Sequence, residues 1–355
     1  MLLRSLTVCR FRCYHEAHFE FQPGVNLICG PNARGKTSLL EAIYLLITGR
    51  SFRASQLSDL INLGSQNFYV ETTFIKHGIE QRLAFGYDGR ERKITYNSTS
   101  SSQTSNLLGI LQGVTLTPDD ANLVKGSPAG RRHFLDLQIA QMDPLYVHHL
   151  TRYQRAMRQR NCLLRAKSTT AIESWEQELA KAGAYVIKQR ERTIADLQGH
   201  IKQSQHAISA QLEEIKMTYK TSTPLLNGID GISEHLMTQY RKLRSREMAI
   251  GTTLVGPHKD DVLISLSDKE IRTFASEGQQ RSFVIALRMA EWQRLHQSGC
   301  EKEQPLMLLD DVGMSLDAVR RERLLSNLPQ FGQVFVTSTD AGFINDAHVH
   351  VIPLE

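Results

Sequence analysis

The chain has no uninterrupted apolar run near the roughly 20 residues that span a bilayer, so nothing in it reads as a membrane span. Arg4, Arg10 and Arg12 break the N-terminal stretch too soon for the apolar core of a secretory signal. Cysteine is scarce: the five residues are odd in number and form no CxxC pair, which argues against a disulfide framework and against a zinc site. Charge of one sign is not in large excess either, and a net +5 is too mild to demand a polyanionic partner. The expectation is a cytoplasmic protein with reduced thiols and no membrane association, long enough at 355 residues for one to three domains.

What is present is more specific. Gly30-Pro31-Asn32-Ala33-Arg34-Gly35-Lys36-Thr37 is a GxxxxGK(S/T) loop, preceded by a strand-like run from Val25 to Cys29 and followed by a helix-like run from Ser38 to Leu46. Glycines let backbone N–H groups wrap closely around a polyphosphate, and the start of a helix adds positive dipole. Residues Gly30 to Gly35 are therefore predicted to cradle ATP, with Lys36 reaching the β- and γ-phosphates and Thr37 offering a hydroxyl to Mg²⁺.

A second group lies near the other end of the chain. Pro305 to Leu309 is an apolar strand ending in Asp310 and Asp311, as a strand that delivers a carboxylate to the Mg²⁺ beside a P-loop must. Asp310 is the predicted second metal ligand, and Asp311 the candidate to orient the attacking water, so that Lys36 and Asp311 carry the catalytic roles. Nearly the whole chain separates Thr37 from Asp310, which requires an ATPase assembled from both ends of the polypeptide. Upstream, Ser276 and Gln279 form a capping box, with Gly278 leaving the helix start uncovered and Gln280 adjoining it. Ser276, Gly278, Gln279 and Gln280 thus read as a second anion site, suited to the γ-phosphate of a nucleotide held by another copy in an ATP-dependent homodimer. Thr339 stands where a γ-phosphate sensor would, and equally where a residue capping the following turn would.

The fold class that accommodates these motifs is α/β. Residues 1–115 are expected to hold the P-loop and an antiparallel meander, residues 116–250 an inserted helical lobe, and residues 251–355 the remainder of the ATPase head. The meander rests on His77-Gly78 and Asp88-Gly89 between apolar runs, and Asn97 to Asn106 reads as a polar loop. Ser127-Pro128 and Asp143-Pro144 mark helix starts, and helical composition continues to about Lys220 with a break near Ser168 to Ala171. Basic residues crowd this lobe: Arg131 and Arg132, then Arg152, Arg155, Arg158, Arg160, Arg165 and Lys167, and Arg241, Lys242, Arg244 and Arg246. They are either phosphate-backbone contacts or a solvated helix face.

Together the split P-loop and acidic strand, the helical insertion and the capped helix resemble the ATPase heads of the ABC and SMC class, and within it the RecF family of bacterial recombination mediators. The resemblance covers essentially the whole chain. It rests further on Gly49 to Arg53, Thr117 to Asp120, Gly126 to Pro128 with Arg131-Arg132, Leu135-Asp136, Arg160-Asn161, Gly256 to Asp261, Ser276 to Arg281 and Leu308 to Val312. It implies a weak, DNA-dependent ATPase that acts as a switch, binds single-stranded, double-stranded and gapped DNA at single-strand gaps and ss/dsDNA junctions, and works with RecO and RecR to load RecA in DNA repair, replication and the SOS response. The chain departs from the family pattern in three places: Ala33 replaces a glycine, Glu277 a glutamine, and Gly313 to Asp317 a Phe-Ser-Glu-Leu-Asp run, in which Leu316 and Asp317 still match.

Two other classes compete. The nucleotide-binding subunit of an ABC transporter would carry an LSGGQ-like signature and a histidine after the next strand, where this chain has Ser-Glu-Gly-Gln-Gln and Thr339. A small-molecule kinase would place its two nucleotide motifs close together in sequence.

Overall fold

The computed structural model describes residues 1–208, 214–225, 228–298, 303–311, 318–344 and 348–354. They fall into two compact units, one formed by residues 1–121, 200–212 and 276–355, the other by 122–199 and 213–275.

The first unit opens with β1 (Leu2–Phe11), β2 (Tyr14–Glu20), β3 (Val25–Cys29) and α1 (Lys36–Thr48), followed by β4 (Phe68–Lys76), β5 (Ile79–Tyr87), β6 (Arg92–Tyr96), β7 (Thr99–Ser101) and β8 (Gly113–Leu116). Six of these strands form an antiparallel sheet in the order β2-β1-β4-β5-β6-β7. The turn between β4 and β5 takes positive φ at His77 (54°) and Gly78 (74°), the backbone that tightly twisted hairpins require. The predicted polar loop from Asn97 contains a strand: Asn97, at φ 52°, turns the chain back so that β7 pairs with β6.

The second unit holds α2 (Asn122–Lys125), α3 (Pro128–Ala140), α4 (Pro144–Arg165) and α5 (Ile172–Ile208), the last running on beyond residue 199, then β9 (Ile215–Lys220), α6 (Gly228–Ile250), β10 (Asp261–Leu266), β11 (Lys269–Glu270) and α7 (Ile271–Phe274). Asp143 caps α4 by accepting from the Leu145 amide at 2.9 Å, with Pro144 in the first turn. Residues 215–220, expected to continue the helical region, are instead a strand paired with β10. Their strict alternation, with Ile215, Met217 and Tyr219 buried and the lysines and threonine between them exposed, is a period of two that no helix face can bury.

The chain then returns to the first unit with α8 (Glu277–Ser298), β12 (Leu306–Leu309), α9 (Ala318–Asn327), β13 (Val334–Ser338) and β14 (His350–Pro353). A five-stranded, wholly parallel sheet runs β14-β3-β13-β12-β8 and so joins strands from both chain ends. Its inner strands are nearly continuous apolar runs, buried on both faces as parallel strands are: β12 and β13 are buried throughout, while the edge strand β14 leaves Val351 and Pro353 exposed. Among the described residues no helix is long and apolar enough to cross a membrane.

Candidate nucleotide-binding site

Ligands of parallel α/β sheets sit beyond the carboxyl ends of the strands. Here β13 lies between β3 and β12, and the ends of the three strands bring Gly30, Thr337 and Asp310 together. The loop after β3 requires its glycines. A Cβ on Gly30 would stand 2.3 Å from the Leu354 carbonyl oxygen, and one on Gly35, at φ 96°, 2.6 Å from Cys13 Sγ. Lys36 Nζ donates to the carbonyls of Gly30 (2.7 Å) and Pro31 (2.9 Å), which folds the ammonium over the loop. Pro31, Asn32, Ala33 and Arg34 are exposed along its rim.

Thr37 Oγ1 donates to Asp310 Oδ1 at 3.0 Å, and Thr337 Oγ1 donates to the same oxygen at 2.9 Å. Burial pushes the Asp310 carboxyl above its ordinary range, and the two hydroxyls only partly offset this. A buried carboxylate beside a threonine hydroxyl is a fitting partial shell for a hard dication that takes its other ligands from phosphate and water. No larger group of acidic, histidine or cysteine side chains that could hold a metal occurs among the described residues. Asp311 follows at φ 48°, its amide donating to Thr337 Oγ1 at 2.8 Å, so one buried threonine fixes both aspartates.

Beside these groups lies a cavity of ≈ 250 Å³, whose lining does not include Gly30, Pro31, Arg34 or Asp310. Of the predicted residues, Asn32, Ala33, Gly35, Lys36, Thr37 and Asp311 line it. Cys13, Ser38, Arg53 and Thr337 line it as well, and sequence reasoning had given none of them a role there. Arg53 lies in the Gly49 to Arg53 run that carried part of the resemblance, which was the available signal; Cys13 had none. Tyr14 donates to the Gly35 carbonyl at 3.1 Å, and burial pushes its phenol up so that the donor proton is kept. Thr339 is exposed and does not line the cavity; the turn after it is capped by Asp340, which accepts from the Gly342 amide at 2.8 Å.

Ala33 adopts φ 67°, a left-handed conformation that costs a residue with a Cβ on the order of 1 kcal/mol. Ala33→Gly should therefore raise stability by about 1 kcal/mol, less the extra chain entropy of glycine in the unfolded state, as read by thermal unfolding. An unchanged or lowered midpoint would mean that the loop relaxes without cost.

Ser276 and Gln279 make the reciprocal cap: Gln279 N donates to Ser276 Oγ (3.2 Å) and Ser276 N to Gln279 Oε1 (2.7 Å). Ser276 is exposed, Gly278 and Gln279 half-buried and Gln280 buried, and none of them lines the P-loop cavity of its own chain. Val312 and Gly313 to Asp317 lie outside the described residues.

The basic lobe divides sharply. Arg160 is fully buried and bonded to Glu176, Glu247 and Thr253, which removes it from any surface role. Arg131 grips Asp261 through two bonds (2.8 and 2.9 Å), Arg132 donates to the Asp260 carbonyl, Arg152 pairs with Glu178 and Arg244 with Glu176. Arg155, Arg158, Arg165 and Lys167 on and after α4, and Lys242 and Arg246 on α6, are exposed. Spacing alone could not separate these groups, because their partners come from distant segments.

The family described as RecF/RecN/SMC N terminal domain matches residues 2–352. The chain is 53% identical over 345 residues to the DNA replication and repair protein RecF of Protochlamydia amoebophila, covering 97% of this chain and 96% of that protein. It is 34% identical over 355 residues to the protein of the same name from Bacillus subtilis, covering 97% and 95%. A solved structure of the recombination mediator protein RecF with ATP, in the RecFOR pathway, superposes with a TM-score of 0.90 at 31% identity, covering 99% of this chain and 95% of that one. The Smc head domain of Pyrococcus furiosus, at 17% identity and a TM-score of 0.57, shares the fold.

Proposed function

The chain belongs to the RecF family within the RecF/RecN/SMC N-terminal domain class, and from that premise we propose that it is an ATP-switched DNA-binding protein of DNA replication and recombinational repair. The observation that carries this reading is the meeting of Thr37, Thr337 and the buried Asp310 beside the P-loop. In it, the amides from Asn32 to Thr37 and the Lys36 ammonium hold the β- and γ-phosphates, Arg53 adds a second cation, and Thr37 with Asp310 would hold Mg²⁺. The metal, when bound, screens the charge of the phosphate oxygens. Asp311 orients the water for slow hydrolysis, which suits a switch, and Thr337 rather than the exposed Thr339 supplies the hydroxyl at the strand end.

Ser276, Gly278, Gln279 and Gln280 are assigned to the γ-phosphate of a partner's nucleotide, since none of them lines the P-loop cavity of its own chain. Family membership extends the reading to single-strand gaps and ss/dsDNA junctions in the cytoplasm, with RecO and RecR as partners and RecA as the protein to be loaded. The exposed cations on α4 and α6 are the proposed phosphate contacts.

Ser276→Arg tests the switch. It should leave ATP binding by the monomer intact, because the P-loop is untouched, yet abolish ATP-induced dimerisation and weaken DNA binding with it. A residue that only capped its own helix would cost about 1 kcal/mol of stability and nothing more. Sedimentation with ATP and Mg²⁺, with and without gapped DNA, separates these outcomes, and a dimer of normal affinity would refute the trans-acting role.

A further inference from the structure

Glu41 sits one helical turn beyond Thr37 on α1, among apolar neighbours, and is fully buried. A carboxylate in such a place is kept only by strong partners. Arg12 donates to it twice, from Nε to Oε2 and from Nη2 to Oε1, each at 2.8 Å, and these bonds hold the Arg12 guanidinium above its ordinary value. Ser51 donates its hydroxyl to Glu41 Oε1. The same Ser51 oxygen accepts from the amides of Arg53 (2.8 Å) and Ala54 (2.7 Å). Arg12 in turn holds the Asp59 carbonyl at 2.8 Å and precedes Cys13 and Tyr14 in sequence.

Two loops thus hang from one buried carboxylate, and each ends in a residue that lines the nucleotide cavity: Cys13 on one, Arg53 on the other. We propose that Glu41 is a positioning residue for ATP binding, acting through Ser51 to fix the loop from which the Arg53 guanidinium enters the cavity. Arg53 is itself exposed, so nothing in its own packing holds it; the fixed point is the pair of amides on the Ser51 hydroxyl. The P-loop helix and the Arg53 loop then move as one piece, because the helix carries both Thr37 and Glu41. The inference rests on the nucleotide-site reading above and goes beyond it by assigning a role to two residues outside the cavity.

The test is a double-mutant cycle on the full chain with ATP and Mg²⁺, with thermal unfolding measured alongside. Arg53→Ala should weaken ATP binding roughly tenfold to hundredfold, the range for a lost bond to a charged group. Ser51→Ala should weaken it about tenfold, by letting the loop drift, and the double variant should be no weaker than Arg53→Ala alone. Glu41→Gln, which keeps the shape of the side chain, should show the same non-additivity with Arg53→Ala and covers the case in which Ser51→Ala folds poorly. Additive losses, or a lowered unfolding midpoint with ATP affinity unchanged, would assign Glu41 and Ser51 to stability alone and overturn the proposal. Lys36→Ala serves as the reference: ATP binding that ignored Lys36 would instead overturn the nucleotide site on which the proposal stands.

Discussion

Lys36→Ala should lower ATP affinity by about 3 kcal/mol, roughly a hundredfold, with thermal stability altered by no more than about 1 kcal/mol. Removing the ammonium deletes two bonds to loop carbonyls at the half-exposed edge of the P-loop, where water can replace them, so the fold loses little. The nucleotide loses more. Among the described residues that line the cavity, Lys36 and Arg53 are the cationic ones, and Lys36 starts the helix whose first amides would meet the phosphates. Titration with ATP and with AMP checks the assignment: the loss should be confined to the nucleotide that carries β- and γ-phosphates. Equal losses for both would place Lys36 elsewhere on the nucleotide.

Much of this site was legible because its geometry is local. The P-loop places glycines, lysine and threonine within eight consecutive positions, and the backbone between a strand and a helix then determines where each points. The Ser276 cap is equally local, since a capping box spans a single turn. Glu41, Ser51 and Cys13 were not legible for the opposite reason. A glutamate in the run Leu39 to Ile43 looks like the polar stripe of an amphipathic helix, and only the strand and loop folded over it turn that stripe inward. Thr337 drew no reading because pattern cannot say which residues β13 contains: pairing runs from Val334 to Ser338, which places Thr337 inside the strand with its hydroxyl on Asp310 and leaves Thr339 just beyond it.

Fold legibility followed the same division. Hairpin turns at His77-Gly78 and helix starts at Ser127 and Asp143 have short-range signatures, and the structure contains each of them. The strand at 215–220 was missed because a run of six residues next to a long helical composition was averaged into it, although its own alternation was plain. The motif Gly256 to Asp261 carried part of the resemblance, and its residues tie the second unit together. Asp261 pairs with Arg131, the Asp260 side chain accepts from the Tyr219 hydroxyl at 2.5 Å, and Pro257 offers its carbonyl to Arg190 at 2.7 Å.

Arg160→Met should destabilise the second unit by about 3–5 kcal/mol, the cost of breaking a buried ion network by removing one partner. The network is closed and electrically balanced. Arg160 Nη2 donates to Glu176 Oε1 at 3.0 Å and to Glu247 Oε2 at 2.6 Å, and Nη1 to Thr253 Oγ1 at 2.9 Å, while its guanidinium carbon lies 4.9 Å from the centre of the Tyr240 ring. Arg244 supplies the second positive charge through Glu176 at 2.6 Å. With methionine in place, Glu176 keeps Arg244, but Glu247 is left fully buried without its cation, the Leu254 amide still donating to it at 2.6 Å. Glu247→Gln added to Arg160→Met should therefore recover part of the loss, since the stranded charge is removed. The salt dependence of DNA binding by the folded variant should match that of the unaltered protein, because a side chain with no exposed surface neutralises no phosphate. Denaturant unfolding of the single and double variants, with DNA titrations at several salt concentrations, checks each part. A loss below about 1 kcal/mol, or a flattened salt slope, would mean that Arg160 leaves the interior and meets solvent.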